Sequence, residues 1–476
     1  MRREAVAEVD FAADSATLPA PEMKRVAVCS YWYPPMQTIA SLRVGKFVKY
    51  LPEFGWEPFV FTVAPRTNRY TRAGELPDEG LPDHVSRVPD PSVHALVDRF
   101  WPNADAPGGV PSVDRRWHWP RRLAKRAYDE LLRFPDESWP WLLHYPRIRR
   151  DVARVEPGVI LSSSPPATTH LLARRLSRDL GVPWVADFRD PWSHNYRLTR
   201  SSIFRGAERR LERRVVSSVA ALTTVSPGFR DLLVSLHAKP TFIVPNGFDE
   251  EPTPASRAGS GHETRAVFTY TGLLYDTTAV PLLFEAIDRL VDGGRMCARR
   301  AVVQFYGRNQ AVALEALRRY PRVRPLVELH GEVSHERALA AQQAATALLL
   351  LEPPEGWALS LTPAKLFEYV VAGRPIIATG MPGGEVDRLL RDTRTGTLVS
   401  TAEALADLLA MTAGRRHRGD ALVPDADRSV IAMYSRRRVT ARLAEVLDGV
   451  VRTSTARRAA SALPLRPAGD GGRSAG

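Results

Sequence analysis

Short apolar runs alternate with helix-length amphipathic stretches along this chain, and the alternation occurs twice, on either side of a soft segment that begins near residue 250. That pattern leaves few folds open. A strand, a helix and a second strand close a crossover, so each half forms a parallel sheet with helices on both faces. The runs are continuously apolar, as strands covered on both faces require. In the first half the strands read as Arg25–Ser30, Pro58–Val63, Val159–Ser162, Pro183–Asp187, Ala221–Val225 and Thr241–Val244. Helices read as Ser41–Phe54, ended by Gly55, Ala167–Leu180 and an Arg-rich Phe204–Ser217, while residues 65–120 are Pro-rich and read as irregular. The second half gives strands Ala266–Thr271, Ala301–Tyr306, Val327–His330, Ala347–Glu352 and Pro375–Thr379. Its helices are Val280–Asp292, Ser334–Ala345, a short one after Pro363, Glu385–Leu390 and Ala402–Met411. A last amphipathic helix, 435–451, carries Val439, Leu443, Val446 and Leu447 on one stripe.

A chain of 476 residues exceeds one hydrophobic core, and two domains are expected. The reading gives a disordered tail 1–23, a domain 24–249, a linker 250–264 rich in Pro, Gly, Ser and charge, and a second domain 265–424. A crossover with the final helix follows at 425–452, then a disordered tail 453–476. Open parallel sheets bind ligands at the C-terminal ends of their strands. Two such sheets facing each other make a cleft that suits a small molecule.

The net charge of +13 is almost all arginine: the six lysines stand at 24, 46, 49, 125, 239 and 365. Part of this excess reads as a compositional bias, and part suits acidic ligands or an anionic membrane face. No nucleic-acid motif accompanies it. Cys29 and Cys297 are far apart and have no metal-ligand spacing, which predicts a reduced, cytoplasmic compartment without a disulfide framework. The first 23 residues carry Glu4, Glu8, Asp10 and Asp14 and no apolar block, unlike a signal peptide. No apolar run approaches membrane-spanning length, so the chain is expected to be soluble or peripheral.

The stretch from Leu361 to Ala378 concentrates chemistry. Lys365 and Glu368 lie at i,i+3 near the start of a short helix, on one face. A helix N-terminus offers free N–H groups and a positive dipole end to a phosphate; Lys365 adds a full charge, and the Glu368 carboxylate can accept from a ribose diol. The same spacing also describes a salt-bridged pair on a capped surface helix. The stretch resembles the signature helix of retaining glycosyltransferases of the GT-B fold, family 4, which carry two glutamates separated by seven residues and then a Gly-x-Pro turn. Glu368 and Gly373-Arg374-Pro375 match; Ser360 stands where the first glutamate would be. The resemblance implies an α/β protein of two Rossmann-like, doubly wound domains facing a cleft, with the last helix crossing back onto the first domain. Thr362 and Pro363 would lie at the donor site with the helix start.

Further segments fall where that resemblance places ligand contacts. Tyr31 to Arg43 follows the first strand, with small Ala40-Ser41 where relatives usually have two glycines. Ser41 reads as a helix N-cap facing a donor phosphate and Arg43 as its counter-charge. Ser162-Ser163-Ser164-Pro165-Pro166, with His170 beyond it, and Asp187-Phe188-Arg189-Asp190-Pro191-Trp192 follow two later strands. Both resemble loops of a bacterial subgroup of family 4. The charged string is either a structural ion-pair cluster or a sugar-binding one, with Arg189 and Asp190 at the reacting centre and Asp187, His170 and Trp192 on the acceptor. Gly272 ends the first strand of the second half, but the Arg and Lys that relatives place after it are absent. Arg308, after Gly307, and Lys365 would supply that charge, and Val333 lies in the segment whose backbone reads the base. Asp425-Ala426-Asp427 reads as a turn or helix cap rather than a metal site.

These readings predict an enzyme without cofactor or metal that moves a sugar from a nucleoside diphosphate sugar to a hydroxyl of a sugar, glycolipid or small-molecule acceptor. Retention is implied by the family. A pseudoenzyme or scaffold subunit and an inverting transferase of the same fold are the alternatives that Ser360 leaves open. Arg121–Arg126, Trp139–Trp141 and Arg147–Arg154 read either as a membrane-facing patch or as a solvated basic face.

Overall fold

The computed structural model describes residues 23–36, 38–65, 84–89, 130, 133–195, 200–249, 265–275, 279–353, 355, 359–420, 422 and 424–462. The chain builds two parallel sheets. The front-lobe sheet has the order β3-β2-β1-β4-β5-β6-β7, from β1 (Lys24–Ser30), β2 (Trp56–Val63), β3 (Val85–Val88), β4 (Val159–Ser164), β5 (Trp184–Phe188), β6 (Ala221–Thr224) and β7 (Thr241–Ile243). The rear-lobe sheet runs β10-β9-β8-β11-β12-β13, from β8 (Ala266–Thr271), β9 (Ala301–Tyr306), β10 (Val327–Gly331), β11 (Ala347–Leu351), β12 (Ile376–Thr379) and β13 (Gly396–Val399). Each order reverses beside its first strand, at β1/β4 and β8/β11, where a doubly wound sheet opens a ligand crevice.

Burial follows the apolar runs. Every residue of β4, β5, β6, β11 and β12 is buried. The edge strands differ: β3 (VSRV) and β13 (GTLV) are half-buried and mixed in character, and periodicity gave them no signal. β3 therefore corrects the expectation that residues 65–120 are irregular throughout, and most of the rest of that span lies outside the described residues.

The helices that matter for the site are α1 (Ile39–Tyr50), α2 (Tyr145–Val155), α3 (Thr168–Leu180), α4 (Ser202–Val216) and α5 (Pro227–His237) in the front lobe. In the rear lobe they are α6 (Val280–Asp292), α7 (Ala311–Arg319), α8 (His335–Ala344), α9 (Ala364–Val371), α10 (Glu385–Thr393) and α11 (Ala402–His417). After α12 (Arg428–Ala432) comes α13 (Arg436–Ala462). Asp427 caps α12, its carboxylate accepting from the amides of Ser429 and Val430. Val439, Leu443, Ala444, Val446, Leu447 and Val450 of α13 are buried in the same cluster as Val26, Val44, Phe47 and Val159 of the front lobe. Each such valine or leucine contributes about 1.5–3 kcal/mol relative to exposure. The helix continues to Ala462, into the segment expected to be a tail, because nothing in its sequence stops it.

The outgoing and returning chain segments lie side by side. The Phe248 amide donates to the Tyr434 carbonyl at 3.2 Å and the Arg436 amide to the Phe248 carbonyl at 2.8 Å. The segment 250–264, read as a linker, lies outside the described residues.

Candidate active site

The strand ends of the rear lobe meet at two glycines. Gly272 has φ +119° and Gly307 φ +133°, and a Cβ on Gly307 would lie 2.0 Å from the Gly272 carbonyl oxygen. Only glycines let these backbones touch with such dihedrals. The result is an open notch of backbone, over which Lys365 of α9 reaches. Its Nζ donates to the Tyr270 hydroxyl at 2.6 Å and sits 4.2 Å from the centre of that ring. It lies 3.6 Å from the point a Cβ on Gly272 would occupy. The Tyr270 hydroxyl in turn donates to the Leu273 carbonyl at 2.9 Å.

One turn further along α9, Glu368 faces the same cleft. The buried Gln342 side chain stands beside it, with Nε2 3.5 Å from Glu368 Oε2 and 2.9 Å from Thr271 Oγ1. No side chain caps α9, whose N-cap residue is Pro363; Thr362, Pro363, Ala364, Lys365 and Glu368 all line the cleft. Exposed N–H groups at that end favour an anion. Arg308 lines the cleft beyond Gly307, 4.0 Å from Glu332, both side chains about half exposed, and Val333 is next to them.

The opposite wall belongs to the front lobe and the crossing segments: Thr38 before α1, Leu42 and Lys46 of α1, Arg189 and Asp190 after β5, and Asn246 to Asp249. Arg189 donates to the carbonyls of Ser164 at 2.9 Å and Pro165 at 2.6 Å. Burial lowers its pKa to about 10, with Asp190 and Asp187 opposing, so it stays charged at neutral pH. Arg436, at the start of α13, donates to the Gly247 carbonyl at 3.0 Å and pairs with Asp249 at 3.3 Å. Burial holds its guanidinium below its usual pKa, and Asp249 and Glu368 act against that. Lys46 also pairs with Asp249. The cleft encloses about 1020 Å³, room for a nucleotide sugar.

Solved structures share this architecture. Sucrose-phosphate synthase from Thermosynechococcus elongatus superposes with a TM-score of 0.57 at 14% identity, over 90% of this chain and 100% of that one. HepE of Anabaena, solved in complex with UDP and glucose, gives 0.57 at 13% identity, over 90% and 99%. Alpha,alpha-trehalose 6-phosphate synthase from Burkholderia multivorans gives 0.54 at 11% identity, over 94% and 100%. A search of curated proteins finds no match. Residues 41–252 match the family model for Glycosyltransferase Family 4, and residues 265–412 match that for Glycosyl transferases group 1. The chain is a GT-B glycosyltransferase.

Not every residue singled out from the sequence reaches the cleft of this transferase. Arg43 does not serve as a counter-charge there: it is 5% exposed and its donors are consumed internally. Nε and Nη2 bond Asp187 at 3.1 and 2.9 Å, Nη1 the Pro245 carbonyl at 2.8 Å and Nη2 the Val244 carbonyl at 2.7 Å. Asp187 is fully buried, accepting also from Ser163 and Thr223, so it cannot touch an acceptor. Burial pushes its pKa up, but Arg43 and these hydroxyls outweigh that and hold it below the usual carboxylate value.

Ser41 is buried in the first turn of α1; the N-cap is Thr38, whose hydroxyl accepts from the Ser41 amide at 3.0 Å. His170 is fully buried, 2.8 Å from the Ser162 hydroxyl, which also accepts from Trp184 Nε1 at 2.7 Å. Burial takes the His170 pKa down to about 3 and leaves the ring neutral. Trp192 is 5% exposed and donates to Glu208 at 3.1 Å, so it packs inward instead of stacking on a sugar. The structure thus brings together Lys365, Glu368, Arg308, Gly272, Gly307, Val333, Thr362, Pro363, Arg189 and Asp190, and sets Arg43, Ser41, Asp187, His170 and Trp192 apart.

Sequence reading missed Lys46, Asp249, Gln342, Tyr270 and Arg436. A signal existed for one of them. In a chain with six lysines, Lys46 and Lys365 both line the cleft, so the scarce lysines mark it better than the abundant arginines do.

Proposed function

We propose that this transferase moves a sugar from a nucleoside diphosphate sugar to an acceptor hydroxyl with retention, in bacterial glycan, glycolipid or natural-product glycoside synthesis. One observation carries the reading: Lys365, Glu368 and the uncapped start of α9 converge on the glycine notch of the rear lobe. A diphosphate in the notch meets the Lys365 ammonium, the Arg308 guanidinium and helix N–H groups, while Glu368 accepts from the ribose diol. HepE, of like fold, has been solved with UDP-glucose, which supports a nucleotide-sugar donor here.

In the reaction the bond from the anomeric carbon to the diphosphate oxygen breaks, and a bond to the acceptor oxygen forms on the same face. The acceptor proton passes to a donor phosphate oxygen. Charge gathering on the leaving diphosphate is offset by Lys365, Arg308 and the helix dipole, work that a metal ion does in other transferases. A panel of nucleotide sugars read by mass spectrometry tests this. Transfer from one donor, lowered about 10²-fold or more by Lys365→Ala or Glu368→Ala and unaffected by a chelator, is the expected result; normal turnover in both variants defeats the site assignment.

Asp190 favours a second reading, inversion, because its carboxylate lines the acceptor-side wall and could take the hydroxyl proton directly. The anomeric configuration of the product decides between the two. A pseudoenzyme would bind UDP or GDP sugars without transfer, or not at all.

Peripheral membrane contact belongs to the same proposal in a narrower form. Among the described residues no helix is long and apolar enough to cross a membrane. Trp141 is buried and cannot anchor at an interface, and 121–126 lie outside the described residues. What supports the contact is a groove between α2 and α3 lined by Arg149, Arg150, Arg154 and Arg175. Co-sedimentation with anionic but not zwitterionic liposomes, lost at high salt, is the expected outcome.

A further inference from the structure

We infer that the close approach of Gly228 to Ser360, with the Ser360 backbone carbonyl bonded by the front lobe, holds the cleft closed. Gly228 is the second residue of α5, a place where glycine weakens a helix and alanine would strengthen it. Its dihedrals do not demand glycine, since φ lies outside the left-handed region. Close approach does. A Cβ on Gly228 would meet Ser360 Oγ at 2.2 Å, Cβ at 2.8 Å and Cα at 3.3 Å. The front lobe therefore gives up a side chain at the one point where Ser360 of the rear lobe comes down on it.

Two polar bonds fix the approach. The Ser226 hydroxyl caps α5, accepting from the Phe229 amide at 3.4 Å, and donates at 2.8 Å to the Ser360 carbonyl. The Gly228 amide, one of the free donors at the helix start, donates to Glu385 Oε1 at 3.3 Å. Glu385 is 8% exposed and is itself held by Arg388, at 2.6 and 3.1 Å from Nη2 and Nε. A carboxylate of the rear lobe thus caps a helix of the front lobe. These contacts join the lobes at a second place, separate from the Phe248–Arg436 crossing.

Small-angle scattering on the full chain tests the inference without any donor, so its failure is separable from failure of the nucleotide reading. Gly228→Ala should open the lobes and raise the radius of gyration. Ser360→Gly alone should keep the wild-type profile. The double variant G228A/S360G, which removes the Ser360 Oγ and Cβ that the new methyl would strike and leaves only Cα at 3.3 Å, should return to it. A G228A profile that superposes on wild type, or a double variant as expanded as G228A, overturns the inference. Should G228A fail to fold, the double variant still decides: folded and compact supports the contact, misfolded refutes it.

Discussion

Both lobes carry charged residues at the C-terminal ends of their parallel strands, and they use them in opposite ways. In the front lobe Arg43 and Asp187 meet at side-chain exposures of 4% and 1% and satisfy each other, with Ser163, Thr223 and two carbonyls completing the set. In the rear lobe Lys365 and Glu368 line the cleft, and Lys365 donates to the neutral hydroxyl of Tyr270. A satisfied buried pair fixes geometry and has nothing left to offer a ligand. An incompletely satisfied, accessible pair is ready to bind one. Charge at a strand end therefore says little until the partner across the sheet is known.

The contrast can be broken or sharpened by substitution. Removing one member of the buried pair should be the costliest change: Asp187→Ala leaves a buried guanidinium unpaired and should destabilise by about 3–5 kcal/mol in chemical denaturation. Because Asp187 has a depressed pKa, its contribution is present above the unfolded value, about 3.9, and fades as pH falls toward the folded one. In the rear lobe Lys365→Ala should leave the unfolding midpoint nearly unchanged while lowering kcat by roughly 10²–10³. If the two variants exchanged phenotypes, the contrast between the lobes would be wrong.

Buried His170 adds a pH signature to the front lobe. Its folded pKa, about 3, lies below the unfolded 6.5, so protons bind preferentially to the unfolded chain as pH falls between those values. Stability should drop there by up to about 1.4 kcal/mol per pH unit, and His170→Asn should remove that part of the slope between pH 6 and 4. The smallest effect is expected from Tyr270→Phe. It deletes one hydrogen bond to a charged group, and kcat/KM should fall about tenfold with Lys365 still present.

Most of the fold was legible because strands buried on both faces announce themselves as apolar runs. β8 and β9, and helix α6, fall where the pattern puts them, residue for residue. The edge strands β3 and β13 and the helix that begins at Pro227 were not legible; the first two are mixed in character, and the third opens with the turn-like residues Pro227 and Gly228. In the site, local chemistry carried Lys365 and Glu368, which lie one turn apart on a single helix. It failed for Arg43 and Asp187, whose partnership spans 144 positions and depends on which strands are neighbours. The mutual satisfaction of that pair is tertiary information, and so is the cleft-lining place of Arg436, which the chain reaches only after crossing back.

Calorimetric titration of the full chain with UDP and with GDP reads most directly whether the rear lobe holds a diphosphate. Saturable binding of one nucleotide to the wild type, weakened at least tenfold by Lys365→Ala and unchanged by Ser360→Gly, is what this arrangement of charges predicts. Heats at the level of dilution with both nucleotides, or equal affinity in the Lys365→Ala variant, would contradict it.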